Sequence, residues 1–221
     1  MKVSILVPVY NEEKTINEVI DVLAKLPLDK EIIVIDDGSK DKTREILKNN
    51  PKVKAIFHET NLGKGKAIHT GLEHAAGDII CIQDADLEYD PNEIPNLLKG
   101  FDDCEVDAVY GSRFLKKNPN IYKRYLLGNK ILTGLINLFY GANFTDSYTC
   151  YKLIRKDIFK KLKIESSRFE MEAEISIKLI KMKCRIKEIP INYAPRTLEQ
   201  GKKINWVDAV KGVFTVLKYY F

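Results

Sequence analysis

Paired cysteines and long apolar runs are both missing from this chain of 221 residues. The four cysteines are scattered, at Cys81, Cys104, Cys150 and Cys184. Because there is no Cys-x-x-Cys pair and no histidine nearby at zinc spacing, they are typical of buried free thiols in a reducing compartment. No apolar run approaches the roughly 18 residues of a membrane-spanning helix, and Pro8 interrupts the N-terminal segment too early for a signal peptide. We therefore expect a soluble or peripheral cytoplasmic protein.

Acidic residues are absent between Ala108 and Thr145, although basic residues are frequent there. The basic residues of this stretch are Arg113, Lys116, Lys117, Lys123, Arg124 and Lys130. The stretch from Gly201 onwards is also basic, whereas acidic residues gather between Asp84 and Asp107. Because the net charge is only +5, this uneven distribution is more informative than the total. It indicates one region that binds a cation and another that faces phosphate groups or an anionic membrane.

Segments typical of strands and helices alternate through the first half of the chain. Apolar and β-branched runs predict strands at 3–7, 31–35, 53–57, 78–84 and 106–110. Between them, the apolar spacing predicts helices at 13–26, 39–48, 65–75 and 91–101. The second half is less regular, with helices predicted at 122–140, 170–180 and 205–219 and strands at 148–153 and 184–189. This order favours one α/β domain with a mainly parallel sheet and helices on both faces.

Polar clusters follow three of the predicted strands, at the edge where ligands bind in parallel sheets. They are Tyr10-Asn11-Glu12, Asp36-Asp37-Gly38-Ser39 and Asp84-Ala85-Asp86. Taken singly, each has a simpler explanation, such as a strand-to-helix turn in which Ser39 caps the next helix. We interpret the three together as one site, because the carboxyl ends of parallel strands meet at the same edge.

The acidic run at 84–88 is the strongest single indication of chemistry. In an extended segment, Asp84, Asp86 and Glu88 would project to the same side of the chain. Three carboxylates at the end of a strand suit Mg²⁺ or Mn²⁺, which complete their coordination with water and substrate phosphate. The alternative is a solvated acidic turn before Pro91.

A glycine-rich stretch at 61–67 is basic and precedes a predicted helix. Its spacing matches neither the P-loop nor the dinucleotide-binding fingerprint. We interpret it as a flexible turn whose helix N-terminus could lie near a nucleotide.

Five motifs in order carry a resemblance to a known family. They are Val-Pro-x-Tyr-Asn-Glu at 7–12, Asp-Asp-Gly-Ser at 36–39, Asn-x-Gly-Lys-Gly at 61–65, Asp-Ala-Asp at 84–86 and Gly-Ser-Arg-Phe at 111–114. Together they resemble family 2 glycosyltransferases of the Rossmann-like GT-A fold, and especially the polyprenyl-phosphate (dolichol-phosphate) mannose and glucose synthases. The resemblance spans residues 3 to about 205. Since the sequence shows no domain linker, we predict a single domain over 1–221, with a nucleotide-sugar-binding half at 1–110 and an acceptor- or membrane-facing half at 111–221.

The resemblance also implies residue roles. The residues around the donor nucleoside would be Pro8, Tyr10, Glu12, Ile35 and Asp37. Those along the diphosphate would be Asp84, Ala85 and Asp86. Asp86 and Glu88 would bind the metal with Asp84 beside them, although the related synthases often have Gln in place of Glu88. Arg113 would approach the donor sugar or the acceptor phosphate, and Arg196 and Lys202 would belong to a closing basic loop. The run Gly201-Lys202-Lys203 departs from the Gly-Ser-Lys-like run of the family.

The implied reaction is an inverting, Mg²⁺- or Mn²⁺-dependent transfer of a hexose from a GDP- or UDP-sugar to a polyprenyl or dolichyl phosphate. An acceptor phosphate is already an anion and needs no general base, whereas a sugar hydroxyl needs a carboxylate to take its proton. The candidate bases for a hydroxyl are Asp146 and Glu172. One alternative is the same donor chemistry with a glycan acceptor, and another is a non-catalytic nucleotide- or lipid-binding subunit. Nucleic-acid binding fits the basic pI but explains none of the acidic clusters.

The predicted helix at 122–140 is apolar, with basic residues at its start. This pattern suits a helix that lies on an anionic bilayer, and an ordinary buried helix is the alternative. The last residues, 213–221, could rest on the membrane or pack in a homodimer. We therefore expect a peripheral protein at the cytoplasmic face of the membrane.

Overall fold

The computed structural model describes residues 1–118, 123–196 and 206–221, and it leaves the side chains of 123–125 and 206–208 undescribed. The strands of these ranges are β1 (Val3–Val9), β2 (Lys30–Asp36), β3 (Lys54–Phe57), β4 (Ile79–Ile82), β5 (Ala108–Ser112), β6 (Lys152–Arg155) and β7 (Ile186–Pro190). The helices are α1 (Ile16–Lys25), α2 (Thr43–Lys48), α3 (Lys64–His74), α4 (Ile94–Leu98), α5 (Lys123–Tyr140), α6 (Lys156–Leu162), α7 (Met171–Lys181) and α8 (Trp206–Lys218). Short 3-10 turns flank α4 on both sides.

All seven strands form one sheet in the order β3-β2-β1-β4-β6-β5-β7. Neighbouring strands from β3 to β4 run parallel, and so do β5 and β7, whereas β6 is antiparallel to both of its neighbours. The predicted α/β fold with a mainly parallel sheet is thereby confirmed. The chain adds β2 and β3 on one side of β1 and β4 on the other, so the strand order reverses between β1 and β4. The crevice at such a reversal is the usual ligand site of open α/β sheets.

The central strands are buried almost throughout. Every residue of β4 is buried, and β1 is buried except for Pro8. Near-continuous apolar strands are expected where helices cover both faces of a parallel sheet. Helix α1 packs against them through the residues that its periodicity predicts: Ile16, Val19, Ile20 and Leu23.

Helices α5, α7 and α8 form a second, smaller core. Its buried residues are Ile136, Ala173, Ile177 and Val216. The Tyr140 hydroxyl donates a hydrogen bond to the Val216 carbonyl at 2.6 Å, and the rings of Phe139 and Tyr220 lie 4.9 Å apart. Among the described residues, no helix is both long enough and apolar enough to cross a membrane.

The sequence placed β6 several residues too early and missed α6. The predicted strand at 148–153 is mostly a buried loop, and the strand itself is Lys152–Arg155. The loop is buried like a strand, but Thr149 and Cys150 are held by bonds that involve a side-chain hydroxyl, and strand pairing begins only at Lys152. Helix α6 has only seven residues, Lys156–Leu162, which is too short to give a clear helical period.

Candidate functional site

The carboxylates that follow β2 bind neighbouring protein groups. Asp36 is fully buried and accepts hydrogen bonds from Arg44 Nε at 3.1 Å and from the Ser39 amide at 3.2 Å. Asp37 accepts from the amides of Leu62 at 2.9 Å and Gly63 at 2.8 Å. These bonds join the end of β2 to α2 and to the loop before α3. Asp37 therefore fixes the loop before α3 through hydrogen bonds to two of its amides. The predicted contact between Asp37 and a nucleoside stays a prediction.

Gly38 is required by the turn after β2. Its φ is +74°, and a Cβ at this position would lie 2.6 Å from the backbone of Thr60. A side chain would therefore meet both backbone strain and a clash. The glycine brings the loops after β2 and β3 into contact beside the crevice.

Glu12, which follows β1, binds Arg196 from the far end of the chain. The Arg196 guanidinium donates to both Glu12 oxygens, at 3.0 and 2.9 Å, and its Nε donates to the Asp86 carbonyl at 2.7 Å. Thr15 completes the contact, because its hydroxyl donates to the Ala85 carbonyl at 2.8 Å. The structure thus brings together four of the predicted site residues, which are Glu12, Ala85, Asp86 and Arg196.

The acidic run does not keep the extended form that the alternation assumed. Leu87 adopts a positive φ of 61°, so the chain turns between Asp86 and Glu88. Glu88 accepts from the Tyr193 hydroxyl at 2.5 Å and from the Arg196 amide at 2.8 Å. The extended backbone on which the alternation argument rested is therefore absent, and the assignment of Glu88 to a metal stays a prediction. In this structure Glu88 holds the segment 193–196 against the loop that follows β4.

Asp84 and Asp86 remain as the candidate metal ligands. No cluster of three or more His, Cys, Asp or Glu side chains suited to a metal occurs in the described part of the chain. Partial burial, together with the negative charges of Asp84 and Glu88, raises the pKa of Asp86 to about 7. Two crowded carboxylates of this kind fit an ion such as Mg²⁺ or Mn²⁺, which is commonly bound by one or two carboxylates plus water and substrate phosphate.

Lys64 is a site residue that the sequence analysis did not single out. Its ammonium lies 2.8 Å from Asp84 Oδ1 and 3.2 Å from Glu172 Oε1. The other oxygen of Glu172 lies 2.5 Å from Lys152 Nζ. Glu172, predicted as a candidate base, is therefore bound by two ammonium groups. The signal that could have found Lys64 is its position between two glycines, in Gly63-Lys64-Gly65.

Those glycines allow a close approach between the start of α3 and the loop before α7. The Gly65 amide donates to the Ser167 carbonyl at 2.8 Å. A Cβ would lie 2.3 Å from the Ser167 carbonyl oxygen at Gly63 and 2.1 Å from that of Ser166 at Gly65. The first turn of α3 is thus covered by protein, and Lys64 reaches the crevice through its side chain.

Arg113 and Asp146 form a buried ion pair. The guanidinium donates from Nε and Nη2 to both oxygens of Asp146, each at 2.7 Å, and the Arg113 amide adds a third bond at 3.0 Å. Arg113 also lies 5.1 Å from the ring centre of Tyr193, the residue whose hydroxyl binds Glu88. The candidate base Asp146 thus has a protein partner, and the predicted approach of Arg113 to the donor sugar or acceptor phosphate stays a prediction.

The remaining predicted residues fall at or near the rim. Pro8 and Ile35 pair in register on β1 and β2, one residue before these strands end. Tyr10 is half-buried just beyond β1. Lys202 lies outside the described residues.

Comparison with known proteins identifies the family. The sequence model of Glycosyl transferase family 2 matches residues 4–163. A UDP-N-acetylglucosamine–dolichyl-phosphate N-acetylglucosaminyltransferase of Methanococcus voltae is 33% identical over 227 residues, with 90% of this chain and 89% of that protein covered. A dolichol-phosphate mannosyltransferase of Pyrococcus furiosus is 30% identical over 212 residues, and the match covers 91% of this chain but only 59% of the relative's length.

A solved structure supports the fold independently. The chain resembles glucosyl-3-phosphoglycerate synthase from Mycobacterium tuberculosis, crystallised with Mn²⁺, uridine diphosphate and phosphoglyceric acid, with a TM-score of 0.77. The two sequences are 19% identical, with 99% of this chain and 78% of that chain covered. This likeness concerns the fold, and it confirms the predicted GT-A architecture. Since the family match runs from β1 to the end of α6, it also confirms the glycosyltransferase class that the ordered motifs predicted, and the chain belongs to glycosyl transferase family 2.

Proposed function

We propose that this protein transfers a hexose or N-acetylhexosamine, with inversion, from a UDP- or GDP-sugar to a polyprenyl phosphate in the presence of Mg²⁺ or Mn²⁺. The observation that carries the proposal is the arrangement at the strand-order reversal. Asp84 and Asp86 follow β4, where the Lys64 ammonium contacts the Asp84 carboxylate and the Arg196 guanidinium contacts the Asp86 carbonyl. Carboxylates that can hold a divalent cation, flanked by basic side chains, suit a nucleoside diphosphate.

The site residues supply charge at the leaving group. When the sugar leaves, negative charge grows on the diphosphate, and preorganised positive groups stabilise it. Asp84 and Asp86 would hold a divalent cation, which neutralises phosphate charge when bound. Arg196 and Lys64 would supply further positive charge from the protein. Glu12 positions Arg196 through the paired hydrogen bonds described above.

The contacts of the two candidate bases support a phosphate acceptor. A sugar hydroxyl would need a carboxylate able to accept its proton. Asp146 is bound to Arg113 and Glu172 to two lysines, so neither is placed to act in that way. A phosphate acceptor needs no such base. The names of the two archaeal relatives, which both include a dolichol-linked phosphate, support the same choice.

The proposed reaction is tested by following a radiolabelled sugar. Purified protein would be incubated with polyprenyl phosphate, Mn²⁺ or Mg²⁺, and labelled UDP-glucose, UDP-N-acetylglucosamine or GDP-mannose in turn. We expect label in the butanol-extractable lipid from one donor, and its loss with EDTA. Label only in water-soluble glycan would replace the lipid acceptor with a glycan. Nucleotide binding without transfer to either acceptor would favour a binding subunit.

A second feature supports a lipid-linked acceptor, namely an apolar surface on α5 and α8 that we call the α5–α8 face. Its exposed apolar residues are Leu127, Ile131, Leu138, Val210, Phe214 and Phe221. Leu127, Ile131 and Leu138 lie on α5, Val210 and Phe214 lie on α8, and Phe221 lies three residues beyond the end of α8. Exposed lysines occur beside them at Lys130, Lys211 and Lys218. Apolar side chains bordered by lysine suit the surface of an anionic bilayer.

The α5–α8 face predicts binding to anionic vesicles. We expect wild-type protein to sediment with phosphatidylglycerol vesicles, and the double variant Ile131→Ser/Phe214→Ser to bind at least about fivefold more weakly because buried apolar area is lost. Leu62→Ser is the matched control, since Leu62 is half exposed but lies far along the chain in the loop before α3. Equal binding by both variants would contradict a membrane role. If the wild-type protein has the mass of a dimer in solution and the double variant that of a monomer, the α5–α8 face is instead the interface of a homodimer.

A further inference from the structure

Lys64 is held in a buried chain of alternating charges. Asp84 contacts Lys64, Lys64 contacts Glu172, and Glu172 contacts Lys152. The exposed fractions of these side chains are 22% for Asp84, 11% for Lys64, 5% for Glu172 and 0% for Lys152. Buried charges are costly unless each has a partner, so the chain is stable only as a set.

The charges of this set are balanced only when Asp84 is counted. Lys64 and Lys152 carry two positive charges, and Glu172 carries one negative charge. Lys152 is fixed on β6 and also donates a hydrogen bond to the Thr149 carbonyl. Glu172 is fixed on the first turn of α7. Without Asp84, the other three side chains would leave one uncompensated positive charge at the crevice.

We propose that Lys64 is the resident counter-ion of Asp84 and competes with the divalent cation for this carboxylate. This inference rests on the proposed function, since it assumes that Asp84 belongs to the site of the nucleoside diphosphate. Asp84 can be neutralised either by the Lys64 ammonium or by a divalent cation, and the two positive charges repel one another. Glu172 and Lys152 are positioning residues, which keep the displaced ammonium at the crevice because Glu172 remains its partner.

The competition has two opposite consequences. A cation that binds without nucleotide must displace Lys64 from Asp84, so Lys64 weakens binding of the cation alone. Once a divalent cation has bound Asp84, Lys64 keeps Glu172 as its carboxylate partner but has lost Asp84, and its positive charge then favours a diphosphate nearby. Lys64 therefore couples the two ligands: it weakens binding of the cation alone and strengthens binding of the nucleotide together with the cation.

The variant Lys64→Met separates these effects, because methionine keeps a long side chain and removes the charge. Free Mn²⁺ would be measured by electron paramagnetic resonance, and binding of UDP and GDP by calorimetry at saturating Mn²⁺. For a charge at this distance, we expect Mn²⁺ alone to bind about three- to tenfold more tightly and the nucleotide about tenfold more weakly. Lys66→Met is the matched control, since Lys66 is exposed on the same helix turn and should change neither value.

A change of both affinities in the same direction would overturn the proposal, since a merely structural Lys64 would loosen the whole site. The second variant, Glu172→Gln, raises the positive charge of the set and is expected to weaken binding of Mn²⁺ alone. Unchanged Mn²⁺ binding in folded Glu172→Gln would also overturn it. Failure of the wild-type protein to bind either nucleotide with Mn²⁺ would instead contradict the proposed function, so the two failures are distinguishable.

Discussion

Replacement of Asp86 by asparagine is expected to abolish sugar transfer, with a loss of about 10³-fold or more in kcat/KM. Asp86 follows β4 and lies beside Asp84, and its carboxylate accepts a hydrogen bond from the Glu88 amide at 3.1 Å. An amide keeps this shape but removes the negative charge that would hold a divalent cation. Mn²⁺-dependent binding of the nucleotide should be lost together with turnover. Transfer would be measured with the donor found in the lipid assay, and Mn²⁺ binding by electron paramagnetic resonance.

Glu88→Gln is the matched comparison for that experiment. Both oxygens of Glu88 are used within the protein, for Tyr193 and the Arg196 amide. We expect this variant to bind Mn²⁺ like the wild type and to lose activity only in part, through weaker positioning of Arg196. If Glu88→Gln lost Mn²⁺ as completely as Asp86→Asn, Glu88 would be a ligand and its contacts with 193–196 would have to change on metal binding. Full activity of Asp86→Asn in the presence of EDTA would refute the metal site itself.

Removal of the Asp146 carboxylate is expected to cause the largest loss of stability. Asp146→Ala leaves the Arg113 guanidinium, which is 6% exposed, without its partner and also removes the acceptor of the Arg113 amide. Breaking a buried ion pair in this way costs about 3–5 kcal/mol in the free energy of unfolding. Urea denaturation measures this value directly. Asp157→Ala is the control, because Asp157 is exposed in a surface pair with Lys161 and should cost less than about 1 kcal/mol.

The same variant tests the assignment of Asp146 as a structural residue. If Asp146 were a general base for a hydroxyl acceptor, Asp146→Ala would lose transfer even at a low temperature where the variant is folded. That result would restore the glycan acceptor and argue against a phosphate. A joint loss of stability and activity, with residual transfer recovered at low temperature, is the result that we expect.

Much of the fold could be read from local patterns. The strands and helices of the first half recur where the periodicity predicts them, because each buries an apolar stripe or run that the sequence displays directly. The three polar clusters also meet at one edge, since parallel strands carry their ends to the same side of a sheet. The order of β6, antiparallel between β4 and β5, was not visible, because strand order depends on contacts distant in sequence.

The site was predicted in its parts but not in its connections. Glu12 and Arg196 were both named as site residues, yet nothing local shows that they bind each other across 184 positions. Asp146 and Glu172 were predicted as candidate bases because their cationic partners, Arg113 for Asp146 and Lys64 and Lys152 for Glu172, lie far away in the sequence. The alternation that placed Glu88 beside Asp84 and Asp86 assumes an extended chain, whereas the backbone turns at Leu87.

The sequence by itself determined the α/β class, the family, and the position of the acidic run at the end of a buried strand. These features depend on residue type and spacing along the chain, which the sequence contains in full. Only the tertiary structure decided which carboxylates pair with protein cations and which face the crevice. A carboxylate has the same local signature whether it binds Lys64, Arg113 or a metal ion, and its partner is chosen by folding.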